Sequence, residues 1–295
     1  MPSTVDAPQP WSHDSFLTSD GVTLRYLTFG TGKPVILLPG WSQTAEEWKF
    51  QIEFLGATHH VMALDMRGHG LSDKPDHGYR ISRLAADLDN LIRVRSLRNV
   101  TLIGHSMGSS VIWSYLEQFG DANIDRMVFV DQASAVVSEP EWTEQECLDA
   151  GAILTAQQAA DLVARLAKDD GAISRSFVTG MFRSTYPATD LAWVFAQNAF
   201  LPRPYAARLL YDHVFKNWQD VIGRITRPCL CVGARRSIVP WQAMLATGNA
   251  IPGAATVIFE EEEGGSHFMF LENPDKFNAV LHAFLSDDPG SRADR

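Results

Sequence analysis

The sequence predicts an α/β protein, with a mostly parallel, twisted sheet flanked by helices and interrupted by a helical cap insertion. Three observations predict it. Short apolar runs, each closed by a turn or a charged residue, alternate with helical patterns through the first half. Residues 138–221 contain helix signals and no strand-like run. The pentapeptide Gly104-His105-Ser106-Met107-Gly108 stands between an apolar run and a helical one. The expected division is a core of residues 1–137 and 223–295, with the cap at 138–222.

The elements follow in order. Residues 16–19 and 22–29, joined by Asp20-Gly21, predict an antiparallel hairpin. Val35-Ile36-Leu37-Leu38 is a continuous apolar strand stopped by Pro39-Gly40. Residues 46–55 predict a helix, and Val61-Met62-Ala63-Leu64 a strand ending at Asp65. Residues 81–97 place Leu84, Leu88, Leu91 and Ile92 at helical spacing. Val100-Thr101-Leu102-Ile103 leads into the Ser106 turn and the helical run 111–116; Met127-Val128-Phe129-Val130 ends at Asp131. In the insertion, helices are expected at 143–150, at 155–168 with Thr155 as N-cap, at 190–200 and at 205–218. Strands return at 229–232 and 256–259, and a last helix covers 274–285. The polar tail from residue 287 is expected to fray.

Bulk properties narrow the function. The chain has 295 residues, enough for one large α/β domain with an insertion. The net charge of −10 argues against nucleic acid or an anionic membrane as partner. Part of the acidic excess lies in Glu260-Glu261-Glu262-Glu263, read as a solvated run. No apolar stretch reaches the length of a membrane span, and the first residues lack the apolar core of a signal peptide. Cys147, Cys229 and Cys231 make no disulfide framework. Cys229 and Cys231 alternate along a strand-like run, so both face one side as small buried hydrophobes. No further metal ligands stand nearby. The expectation is a soluble cytoplasmic protein, a monomer or homodimer, that needs no metal or cofactor and acts on a small molecule.

A strand, a tight turn and a helix around residues 104–108 would expose the Ser106 hydroxyl at a strained bend. Side chains at 104 and 108 would collide where strand and helix cross. A serine hydroxyl is a weak nucleophile until a base takes its proton, and the base needs an orienting acid. Of nine histidines, His267 is the expected base. It lies in Gly264-Gly265-Ser266-His267-Phe268, the loop between the last strand and the last helix. His59, His60, His69 and His105 are read as structural. His213 lies in the insertion and is read as a substrate contact. Phe268 is read as a wall of the pocket. Aromatic residues of the insertion, among them Phe177, Phe182 and Trp193, predict an apolar pocket.

The chain resembles the α/β-hydrolase superfamily from residue 22 to 285. The resemblance rests on Leu37-Leu38-Pro39-Gly40-Trp41, on Asp65-Met66-Arg67-Gly68-His69-Gly70-Leu71-Ser72-Asp73, on the 104–108 pentapeptide and on Gly265-Ser266-His267-Phe268. It is similar above all to the non-heme haloperoxidase-like and esterase-like branch. The resemblance implies the α/β-hydrolase fold and an oxyanion hole from the backbone N–H groups of Trp41 and Met107. Asp65, Arg67, Gly68 and Gly70 are read as scaffold. One feature departs from the family. The acid of most members follows the strand equivalent to 229–232, but this chain reads Gly233-Ala234-Arg235-Arg236-Ser237-Ile238-Val239-Pro240 there. Arginine cannot accept the imidazole N–H. The acid is therefore expected at Asp131, with Glu263 as the weaker candidate. The function so implied is cleavage of an ester or lactone through an acyl-enzyme on Ser106. The alternative is a cofactor-independent dioxygenase of the quinolone ring-cleaving type, with His267 as base. A non-catalytic ligand receptor is the third class.

Overall fold

Eight strands make one sheet in the order β1-β2-β4-β3-β5-β6-β7-β8 in the computed structural model, which describes residues 9–287. The first residues and most of the polar tail lie outside the described residues. The strands β1 (Ser12–Leu17) and β2 (Thr23–Phe29) form the predicted hairpin, and β2 runs antiparallel to β4 (His59–Asp65). From β4 through β3 (Lys33–Leu38), β5 (Val100–His105), β6 (Ile124–Val130), β7 (Cys229–Ala234) and β8 (Ala255–Phe259) every pairing is parallel. Parallel neighbours need crossovers, and helices supply them: α1 (Lys49–Gly56), α2 (Ile81–Val94) and α3 (Met107–Phe119) in the first half.

Alternation along the strands builds two cores. Ile36, Leu38, Met62, Leu64, Leu102 and Phe129 face α2 and α3, where Leu84, Leu88 and Trp113 meet them. Val35, Leu37, Val61, Ala63, Ile103 and Val128 face the other side, with Trp48, Ile52 and Phe277. Each fully buried side chain of this size contributes about 1.5–3 kcal/mol. Cys229 and Cys231 both fall in the first cluster, as the alternation requires.

Between β6 and β7 the chain makes six helices: α4 (Glu144–Ala150), α5 (Ala156–Leu166), α6 (Ala172–Thr179), α7 (Ala188–Asn198), α8 (Arg203–Val214) and α9 (Gln219–Ile222). After β7 come α10 (Trp241–Ala250), then α11 (Met269–Glu272) and α12 (Pro274–Ser286) beyond β8. Thr143 and Thr155 close capping boxes at the starts of α4 and α5.

The structure differs from expectation at several elements. The helix expected at 46–55 begins as a 3-10 turn, Ala45–Trp48, before α1. The helix expected at 81–97 stops at Val94, because the chain turns through positive φ at Ser96 and Asn99. The helix expected at 205–218 is broken, since Asn217 bridges Ala135 and the Trp218 N–H donates to the Ser134 carbonyl (2.9 Å). Helices α6 and α10 were not expected.

Candidate active site

The C-terminal ends of β3, β5 and β6 meet at one edge of the sheet, and the loops leaving them carry the site. Ser106 sits between β5 and α3 with φ 50° and ψ −125°. This is a conformation L-residues avoid, at a typical cost of about 1–3 kcal/mol. Its neighbours hold it there. The Ser106 N–H donates to Val130 O (2.8 Å), and its carbonyl accepts from Ser109 N–H (2.8 Å). A Cβ at Gly104 would lie 2.5 Å from Ser109 N, and one at Gly108 would lie 2.4 Å from Leu38 O. Both glycines are therefore demanded by backbone contact.

Asp131 begins the loop after β6, again at positive φ (52°). It is fully buried, and its Oδ2 lies 2.6 Å from Nδ1 of His267. Burial pushes the Asp131 carboxyl above the usual carboxylate range; the hydrogen bonds from His267 and Ser237 oppose that shift. Sequence reasoning missed Ser237. Its hydroxyl donates to the same Asp131 Oδ2, lies 3.4 Å from His267 Nδ1, and accepts the Val239 N–H (3.2 Å). Ser237 stands in the very loop where an acid was sought and not found. Glu263 is placed elsewhere. It is half exposed, pairs with Lys276 and accepts the Glu260 N–H (3.0 Å), remote from the imidazole Nδ1. Neighbouring Glu260 and Glu261 pair with Arg235 and Arg236.

The loop bearing His267 is fixed from two sides. His105 is buried, with Nε2 2.8 Å from the His267 carbonyl and its ring 4.6 Å from the His267 ring. Ser266 donates to Glu272 Oε1 (2.6 Å), and Glu272 also binds the Arg183 backbone N–H (2.9 Å) and guanidinium. The insertion is thus clamped to the loop that carries His267.

Of the two expected oxyanion donors, Trp41 lies in the turn after β3, and Met107 opens α3 directly behind Ser106. Among the described residues neither the Trp41 N–H nor the Met107 N–H makes a backbone hydrogen bond; for Met107 that follows from its place in the first turn of α3. The Trp41 indole N–H donates to Ala206 O of α8 (2.8 Å), and Ser42 Oγ donates to Asn198 O of α7 (2.9 Å). His69 has a larger part than its tight turn suggested. Burial pushes its pKa down to about 4, so the ring is neutral. Its Nδ1–H then donates to Arg67 O (2.9 Å), and Nε2 accepts the Ser42 N–H (3.1 Å). Ser42 itself has φ 60°, so His69 braces a strained loop. The scaffold residues behave as read. Arg67 binds Asp87 through two nitrogens at 2.9 Å each, and Asp65 accepts from Ala45 and Leu71 N–H (2.8 Å each).

One cavity joins these groups. Ser106, His267, Trp41 and Phe268 line it, together with Phe177, Met181, Leu210 and other apolar residues of the insertion. Phe268 stacks on Phe182 with centroids 4.3 Å apart. His213 also lines the cavity, buried, with its pKa lowered to about 4 and Nδ1 unpartnered among the described residues. Among the described residues no group of three or more His, Cys, Asp or Glu side chains could hold a metal, and no helix is long and apolar enough to cross a membrane.

Comparison with known proteins follows the same lines. A model of the alpha/beta hydrolase family matches residues 35–280. The chain is 26% identical over 287 residues to the non-heme chloroperoxidase CPO-A1 of Kitasatospora aureofaciens, covering 91% of this chain and 98% of that one. An esterase from Exiguobacterium antarcticum superposes with a TM-score of 0.84 at 22% identity, over 92% of this chain and 99% of that one. The enol-lactonase of Burkholderia xenovorans LB400 superposes with a TM-score of 0.78 at 19% identity, over 93% and 100%.

Proposed function

We propose that this chain, which belongs to the alpha/beta hydrolase family, is a serine hydrolase that cleaves an ester or lactone of a small, largely apolar or aromatic substrate. The observation that carries the reading is the Asp131–His267 hydrogen bond beside the strained Ser106, at the wall of an apolar cavity. Asp131 accepts the Nδ1–H, which leaves Nε2 as the basic lone pair. His267 takes the Ser106 proton as Oγ adds to the substrate carbonyl. The tetrahedral oxyanion is held by the Trp41 and Met107 N–H groups, each such donor being worth about 3 kcal/mol of barrier. His267 then protonates the leaving alkoxide, and the carbonyl re-forms as the acyl-enzyme. Water, deprotonated by His267, releases the acid and restores Ser106. The cap helices supply the apolar wall, with Phe268 and His213 as substrate contacts. The protein acts free of membranes, in the cytoplasm, as a monomer or homodimer.

A panel of esters and lactones of graded chain length tests this reading. Turnover is expected in the wild type and lost in Ser106→Ala. Turnover surviving in that variant would remove the acyl-enzyme. Oxygen uptake with a hydroxyquinolone, dependent on His267, would instead favour the dioxygenase reading.

A further inference from the structure

Glu47 is a carboxyl that the triad chemistry leaves unused. It lies in the 3-10 turn that follows the Trp41 loop, with no exposed surface. Neither of its carboxyl oxygens has a hydrogen-bond partner among the described residues. Yet Glu47 lines the same cavity as Ser106 and His267. A buried polar group without a partner is costly, and sites built to bind polar substrates are where such groups are kept.

We propose that the Glu47 carboxyl donates a hydrogen bond to a second oxygen of the substrate, so that the preferred ester or lactone carries a keto or amide carbonyl besides the one attacked. The inference rests on the hydrolase reading above and names the substrate class for the same cavity.

Burial pushes the Glu47 carboxyl well above the usual range, and Asp65 adds to the shift. The backbone N–H of Thr44, directed toward the carboxyl, and the charge of Lys49 oppose it. A neutral carboxyl offers an O–H donor and a carbonyl acceptor side by side. In a largely apolar wall, such a group discriminates by chemistry. A substrate that brings an acceptor satisfies it, and a plain alkyl chain leaves it stranded. Glu47 is thus a specificity-determining residue, one step removed from bond cleavage.

The test compares p-nitrophenyl hexanoate with isomers carrying a keto group at successive chain carbons. In the wild type at least one keto isomer is expected to exceed the plain ester in kcat/KM by about tenfold or more. The ratio should fall to near one in Glu47→Met and persist in part in Glu47→Gln, whose amide still donates. No keto preference in the wild type, or a preference that survives Glu47→Met, overturns the proposal. If no ester is cleaved at all, the hydrolase reading fails, and calorimetry on Ser106→Ala still decides the role of Glu47. A keto alcohol should then bind more tightly than its plain analogue, and the Glu47→Met change on that background should erase the difference; equal binding would overturn it. An infrared difference between wild type and Glu47→Gln should show the carbonyl stretch of a protonated carboxylic acid at neutral pH. A carboxylate band in its place would overturn the neutral form.

Discussion

Two fully buried carboxyls stand beside one cavity, and the protein treats them differently. Asp131, behind His267, shares its Oδ2 with an imidazole and a serine hydroxyl. Glu47, on the turn after β3, has no partner for either oxygen among the described residues. Both are raised by burial. At Asp131 two side-chain donors, His267 and Ser237, pull toward the charged form; at Glu47 only the Thr44 backbone amide and the charge of Lys49 do. On the proposed reading, the difference separates charge kept for chemistry from a neutral polar group kept for recognition. A carboxylate that must stabilise an imidazolium needs donors around it. One that must read a neutral substrate needs to stay protonated and unclaimed.

The comparison can be broken at the catalytic end first. Ser106→Ala is expected to lower kcat for ester hydrolysis by about a millionfold in steady-state assays, as loss of a triad nucleophile does. Asp131→Asn should cost about ten-thousandfold while circular dichroism stays native, because the imidazole loses its orienting acceptor. A smaller effect belongs to Ser237→Ala, about tenfold in kcat. Removing a donor that favours the carboxylate raises the Asp131 pKa further. The acid limb of the pH–rate profile should therefore move to higher pH. A lowered limb, or none, would remove Ser237 from the site.

At the other end the expected change is in stability. In the unfolded chain Glu47 ionises near pH ~4.3, whereas in the folded protein it stays protonated to higher pH. The folded state therefore binds the extra proton, and stability falls as pH rises above the unfolded value. Glu47→Met removes this penalty. It is expected to be more stable than the wild type by about 1–3 kcal/mol at pH ~7 in denaturant titration, with the gap closing toward pH ~4. A less stable variant would show that Glu47 is satisfied in the folded protein, and a gap independent of pH that its carboxyl titrates alike in the folded and unfolded chain.

Much of this was legible in the sequence, because the fold writes its sheet as continuous apolar runs. Runs such as Val35-Ile36-Leu37-Leu38 admit few other readings when glycines and prolines close them. The triad candidates Ser106, Asp131 and His267 were legible for the same reason, since each follows a strand end. What escaped was decided by packing. Helix α6 is only eight residues long, set between Gly171 and Gly180, with no side-chain cap to mark its start. Helix α10 follows Pro240 without a polar N-cap, so no side-chain signal announces it. Ser237 is a common residue whose role depends on a carboxylate 106 positions earlier. Glu47 falls within the helix expected at 46–55, where nothing in the sequence marks it out. Glu47 and Gln51 lie one turn apart beside the apolar stripe of Trp48, Ile52 and Leu55, and both are buried with it, which helical spacing alone does not dictate.

The most direct test of the central claim is intact-mass spectrometry after reaction with a fluorophosphonate, which adds covalently to an activated serine. The account expects one adduct per chain in the wild type, mapped to Ser106, none in Ser106→Ala and a much slower one in His267→Asn. An unlabelled wild type, or an adduct at another residue, would contradict it.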